Sequence, residues 1–305
     1  MKQLAFTERG HGMTRRPAEA QTAFGPIVIA AAEQMVPPEQ RLFEDDLAVR
    51  FLPPGMRLAV HASRWPFVRT LLIKMTESRG RGLWGGMLCR KRYADDQVER
   101  AIKAGLRQFV FLGTGLDTRA YRLVAPAGAA AFEVDLPANI AMKGERLREI
   151  YGGTPGGVTL VPLDFETHDL GHALTTNGLR PELPMILVWE AVTQYLTEDG
   201  VRRTLSALAG AAPGSRFIFT YVLRDFLDGV RFYGAEKAHR EFVAKRGIWR
   251  LGLAPGEVAD LLAEYGWAER EQVGAAEYLA RYVKPSGRDL AVSEIERFVY
   301  AEKDT

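Results

Sequence analysis

Short, continuous apolar runs alternate along this chain with longer stretches in which apolar residues recur every three or four positions, the signatures of buried strands and of helices. The runs at 109–112, 130–135, 158–163, 184–189 and 217–221 read as five strands, and the first, apolar throughout, is expected to be covered on both faces. Helical patterns separate them: 88–104 before the first strand, a helix resuming at Thr118, one from Leu136-Pro137 to about 150, and one from the N-cap Thr197 to about 211. Such alternation predicts a mainly parallel sheet with helices on both faces.

After the fifth strand the pattern changes. Residues 224–255 read as a helical insert carrying Phe226, Phe232, Tyr233, Phe242 and Trp249, 255–265 as a helix closed by Gly266, and 267–273 and 295–302 as the last two strands. Before the first strand the chain reads as helical at 18–36, 45–51 and 65–76, the last strongly apolar on one face, with the proline pairs 37–38 and 53–54 as stops. Residues 1–16, with His11 and Arg15-Arg16, read as a loose tail. The expected organisation is an N-terminal helical cap, 1–104, leading into an α/β core, 105–305, with 224–255 as a lid, all in one structural domain.

Composition excludes more than it adds. A chain of 305 residues, 47% hydrophobic and 26% charged, is that of a globular protein with a sizeable core. Its 40 basic residues are interspersed with 38 acidic ones, net +2, so no nucleic-acid partner is expected. No run approaches the roughly 20 apolar residues of a membrane span, and no apolar stretch follows a basic start, so neither a membrane partner nor a leader is expected. Cys89 is the one cysteine. It excludes an internal disulfide and fits a reducing compartment, so the expected location is cytoplasmic. His168 and His172 have the i, i+4 spacing of a metal pair, but no third ligand accompanies them and no metal is expected. No serine stands in a Gly-x-Ser-x-Gly elbow.

The candidate chemistry collects at the strand ends. The first strand runs into Gly113-Thr114-Gly115, where glycine takes positive φ without penalty and lets a ligand lie against the backbone. On its own this turn fits a plain structural turn, a dinucleotide, or a nucleoside without a pyrophosphate. Thr118 stands where the dinucleotide fingerprint needs its third glycine. Ligands of open α/β sheets bind beyond the carboxyl ends of the strands, and the next three strands each end in an acid: Asp135, Asp164 and Glu190. Asp135 can accept both hydroxyls of a ribose, and Asp164 with Phe165 suits an adenine; alternatively both aspartates merely cap the helices that follow. The cluster Arg90, Lys91, Arg92, Asp95 and Asp96, taken alone, reads as a salt-bridged solvated face.

Taken in order, Arg-x-Arg-Tyr-Ala-Asp-Asp (90–96), Leu-Gly-Thr-Gly-Leu-Asp-Thr-Arg-Ala-Tyr-Arg-Leu (112–123), Phe-Glu-Val-Asp-Leu-Pro (132–137), Leu-Asp-Phe (163–165) and Trp-Glu-Ala-Val-Thr-Gln-Tyr-Leu (189–196) resemble the leucine carboxyl methyltransferase family. That family includes bacterial members and polyketide carboxyl methyltransferases of the tetracenomycin type. The resemblance runs from about 22 to 302. It implies a class I methyltransferase fold, a Rossmann-like sheet of seven strands with the last antiparallel. It also implies S-adenosyl-L-methionine (SAM) as cofactor and S-adenosyl-L-homocysteine as product. By resemblance, Arg90 matches the arginine that holds the SAM carboxylate, Gly113 and Gly115 the turn under the methionine part, and Asp135 the ribose acid. Asp164 matches the adenine-side acid and Glu190 the acid near the amino group. The basic cluster thereby moves from solvated face to site. One departure stands out: the family's lysine in the N-terminal helix has no counterpart, because 18–36 contains neither Lys nor Arg. Arg90 is then expected to act without Lys91, since adjacent helical positions point about 100° apart.

The reading is an enzyme, a SAM-dependent O-methyltransferase with a small-molecule acceptor. A carboxylate, giving a methyl ester, is expected before a secondary-metabolite hydroxyl. The grounds are the resemblance and the lack of an evident catalytic residue among His11, His61, His168, His172 and His239. A carboxylate with a pKa near 4 needs no general base at about pH 7. Tyr195 and Gln194, just past Glu190, are expected to orient the acceptor; the insert aromatics read first as a satellite core and otherwise as a lid that excludes water. Two other classes stay open: a non-catalytic SAM-binding module whose lid contacts a protein, and an NAD-dependent oxidoreductase, weakened by Thr118.

Overall fold

The computed structural model describes residues 24–304, so the expectations for 1–16 and His11 lie outside the described residues. Seven strands form one sheet: β1 (Gln108–Leu112), β2 (Ala130–Asp135), β3 (Val158–Pro162), β4 (Met185–Trp189), β5 (Arg216–Val222), β6 (Trp267–Val273) and β7 (Glu296–Lys303). Their order is β3-β2-β1-β4-β5-β7-β6. The first five pair in parallel, Val110 opposite both Phe132 and Leu187, while β7 lies antiparallel between β5 and β6. This is the seven-stranded methyltransferase topology that the resemblance implied.

Every residue of β1 and β4 is buried, which is why these runs show no polar alternation. Side chains still alternate between the two faces: Phe109 and Phe111 join one apolar cluster, Val110 and Leu112 the other. Strand order reverses between β1 and β4, so a crevice opens at their carboxyl ends.

Among the described residues five α-helices precede β1: α1 (Phe24–Glu33), α2 (Ala48–Phe51), α3 (Pro54–Ala62), α4 (Pro66–Glu77) and α5 (Leu83–Lys103). Helices α6 (Pro137–Tyr151), α7 (Leu170–Thr176) and α8 (Glu198–Leu208) make the crossovers as far as β5. Beyond it come α9 (Arg224–Leu227), α10 (Glu236–Ala238), α11 (Val258–Ala263) and α12 (Ala275–Tyr278). Thr197 caps α8 as expected, its hydroxyl accepting the Gly200 N–H at 3.1 Å.

Several expectations are corrected. Pro53-Pro54 does not simply end a helix: Pro54 opens α3, a position where a missing N–H costs nothing. Helix α5 begins inside the glycine-rich stretch, after Gly82 at φ +78°, where a Cβ would lie 2.4 Å from the Val292 and Ser293 backbone. The helix after Thr118 is a single π-type turn, Ala120–Val124. His168 precedes α7 while His172 lies within it, so the two rings do not share a helix face. Of the two readings of the insert aromatics, the packing agrees with the satellite core: Phe242 stacks on Trp249 at 4.9 Å and Phe226 lies 6.1 Å from Trp249.

Candidate active site

A cavity of about 340 Å³ lies at the carboxyl ends of β1, β2, β3 and β4. Its floor is the glycine turn. Gly113 has φ +67°, and a Cβ there would meet Val192 Cγ2 at 2.3 Å; Gly115 has φ +48° and donates its N–H to Asp135 Oδ2 at 2.5 Å. Both glycines line the cavity, and Val192 fills the space a Cβ at Gly113 would take, so a side chain there would be strained and crowded. Directly after β4, Ala191 also sits at positive φ, 59°, held by its N–H donating to Thr220 Oγ1 at 2.8 Å.

One wall is ionic. Glu190 Oε1 accepts from Arg90 Nε at 2.8 Å and its Oε2 from Arg119 Nη1 at 2.7 Å. Arg90 also bonds Glu296 at 2.7 Å, and Arg119 bonds Asp117, Asp95 and the Lys91 carbonyl. Burial opposes ionisation of Glu190, but Lys91, Arg119 and Arg90 outweigh it and hold the carboxyl below the usual range. The same contest, won by Arg119 and Lys91, lowers Asp117. Lys91 lines the cavity with its Nζ 3.7 Å from Asp117 and 3.8 Å from Glu190, too far for hydrogen bonds. Both Arg90 and Lys91 therefore face the site, contrary to the expectation that only one does. A long flexible stem lets lysine reach round the helix where the Cβ direction alone would not.

The opposite wall carries Asp135, whose carboxylate also accepts the Leu136 N–H at 2.7 Å and the Asn139 amide at 2.8 Å. Asn139 Oδ1 is buried at this wall without a partner. Beneath the turn, Thr114 donates to Glu133 at 2.9 Å and accepts from Lys143 at 2.6 Å, while Tyr121 donates to the other Glu133 oxygen. Glu133 and Lys143 are both wholly buried. Burial pushes Glu133 up, and Lys143 draws it part of the way back.

The leucine carboxyl methyltransferase family profile matches residues 23–209, more than half of the chain. A protein of Frankia alni assigned by name to the S-adenosyl-L-methionine-dependent methyltransferases is 32% identical over 88% of this chain and 90% of its own length. The chain belongs to the leucine carboxyl methyltransferase family. It is an enzyme, a SAM-dependent methyltransferase. A Streptomyces avermitilis protein of the same name is 30% identical over 81% of this chain and 82% of its own. In fold the methyltransferase is similar to a solved methyltransferase structure from Thermobifida fusca, with a TM-score of 0.58 and 16% identity over 95% of this chain and 98% of that one.

The structure of this methyltransferase brings Arg90, Gly113, Gly115, Asp135, Asp164, Phe165, Glu190 and Tyr195 to one cavity. Gln194 is not among the lining residues; its side chain is buried and its carbonyl accepts the Arg250 N–H at 2.6 Å. Of the insert only Arg250 reaches the cavity, and none of its aromatics does. Sequence reasoning missed Lys91, Asp117, Arg119 and Asn139. Asp117 and Arg119 stand inside the Gly-Leu-Asp-Thr-Arg stretch, and Asn139 lies four residues past Asp135 on the first turn of α6, spacings that were signals in themselves. The cavity fits SAM on this structure's own terms: an exposed glycine backbone, an unpartnered Asn139 acceptor beside a carboxylate, and cations next to acids for an amino acid moiety.

Proposed function

We propose that this SAM-dependent methyltransferase converts a carboxylate of a small molecule to its methyl ester. When bound, SAM supplies an electrophilic methyl group on a sulfonium. Asp135 and Asn139 Oδ1 hold the ribose, Asp164 with Phe165 the adenine, and Gly113 and Gly115 permit close approach to the backbone. Lys91 with Arg90 takes the cofactor carboxylate, and Glu190 with Asp117 its ammonium.

The observation that carries the carboxylate reading is the lining beyond Glu190, which holds Tyr195 and Arg250 and no histidine among the described residues. An arginine and a phenol suit an anionic acceptor. Two of the acids lining the cavity, Glu190 and Asp117, are held below their usual range and are weak bases. A carboxylate acceptor needs none, being about 99.9% ionised at pH 7. Positioning alone can remove roughly 7–11 kcal/mol of barrier.

The test is transfer from methyl-labelled SAM into a panel of acids and phenols. Label in the product should be released as methanol by mild alkali, and Tyr195→Phe should lower turnover with SAM affinity unchanged. Product that keeps its label in alkali is an ether, and the acceptor is then a hydroxyl.

A further inference from the structure

The surface of α3 and α4 is one that the core does not account for. No residue of α4 is buried, and α3 buries only Val60. Among the described residues eight large apolar side chains are exposed, and six of them fall between 56 and 75: Met56, Leu58, Trp65, Phe67, Leu71 and Met75. Phe67, Leu71 and Met75 follow one another at i, i+4 and i+8, a single stripe along α4. Phe67 is 75% exposed and Leu58 74%. Isolated exposed apolar residues are ordinary, but a concentrated group marks an interaction surface.

The charges of the segment that carries the stripe are nearly all of one sign. Residues 54–82 hold six Lys or Arg and one acid, Glu77, so the segment carries +5 while the rest of the chain carries −3. Glu77 is turned to the chain, its carboxylate accepting the N–H groups of Gly82 at 2.6 Å and Trp84 at 3.0 Å. Arg64, Lys74, Arg79 and Arg81 are exposed, and Arg64 lies 5.0 Å over the Trp65 ring.

We propose that the α3–α4 face docks on an anionic lipid surface, its apolar side chains entering the headgroup–acyl boundary and its basic residues facing the phosphates. The backbone of both helices is hydrogen-bonded within them, and the exposed Thr70 and Ser78 hydroxyls donate to carbonyls of α4, so the face presents mainly apolar and cationic groups and asks for no directional partner, as a fluid surface requires. Trp65, at the junction of the two helices, is the kind of amphipathic aromatic that rests at a headgroup level. A second copy of the same face would meet it with like charge. Residues 1–23, with four basic and two acidic side chains, offer the face no charge complement. No helix among the described residues is long and apolar enough to cross a membrane, and docking of this kind requires none.

The full chain is sedimented with vesicles of phosphatidylcholine alone and of phosphatidylcholine with phosphatidylglycerol. Binding is expected only to the second, and should weaken as salt shortens the Debye length from about 10 Å at 0.1 M. The double variants Phe67→Ser/Leu71→Ser and Arg64→Glu/Lys74→Glu should each lower binding by about tenfold or more. Both should keep the parent's melting temperature and SAM affinity, as none of the four residues lines the cavity. Should the serine variant fail to fold, Leu58→Ser on α3 takes its place. No binding to the anionic vesicles, or equal binding by the variants, overturns the proposal. So does a concentration-dependent dimer abolished by Phe67→Ser/Leu71→Ser, or an acidic protein held by this face without vesicle binding.

Discussion

Replacing Arg90 and Lys91 by methionine, one at a time, should separate stability from cofactor affinity. Arg90 is 8% exposed and bonds Glu190 and Glu296 at 2.8 and 2.7 Å. Its loss leaves two largely buried carboxylates short of a counter-charge, and breaking such a pair costs about 3–5 kcal/mol. Glu190 keeps Arg119, which puts the expected value toward the lower end. At roughly 2 °C per kcal/mol for a chain of this size, the melting temperature of Arg90→Met should fall by about 6 °C. Lys91 makes only the contacts of 3.7 and 3.8 Å, so its removal should cost about 1 kcal/mol or less. If it holds the cofactor carboxylate, the variant forfeits a charge-assisted hydrogen bond of about 1.5–3 kcal/mol, a tenfold to 150-fold weaker Kd. Calorimetric unfolding and titration with SAM at fixed salt read the two quantities independently. The reasoning is refuted if Lys91→Met binds SAM within about twofold of the parent, or if Arg90→Met loses affinity with its melting temperature unchanged.

Gly113→Ala would place a Cβ 2.3 Å from Val192 Cγ2 on a backbone at φ +67°, so the thermal shift produced by SAM should vanish; adding Val192→Ala should restore it only in part, because the strained φ persists. Lys143→Met should destabilise by about 3–5 kcal/mol, since Glu133 is wholly buried. Burial already raises Glu133 with Lys143 in place, and losing Lys143 raises it further, so the extra cost in the variant is absent near the unfolded value of about 4.3 and appears as pH rises past the parent's raised folded value. The stabilities of parent and variant in urea should therefore diverge progressively as pH rises above the usual carboxylate range, and a constant gap would show that Glu133 is not the group responsible.

The centre of the sheet was legible because burial on both faces writes β1 and β4 as nearly unbroken apolar runs, and the acids at or just past the ends of β2, β3 and β4 mark their carboxyl ends. Asp135 and Glu190 could be placed this way before any coordinates. Helix boundaries were less legible where proline and glycine have two uses: Pro54 begins α3, and Gly82 leads into α5. The ionic wall was not legible because its pairs are distant in sequence. Arg90 meets Glu190 and Glu296 across 100 and 206 positions, and nothing in a local pattern distinguishes such a cation from a solvated one. Gln194 failed for the opposite reason. Its neighbour Tyr195 reaches the cavity, but the turn that carries both residues sends the glutamine into the interior.

The place of β7 gives the pocket a birth order. Glu296 is the first residue of that strand, and the strand slides between β5 and β6 late in a chain synthesised from its N-terminus. A nascent chain on the ribosome can already own the glycine turn, Asp135 and Asp164 while Arg90 still waits for the second of its carboxylates. Pairings of such long separation also form slowly. The ionic wall around Arg90 is thus complete only once β7 has emerged and paired between β5 and β6.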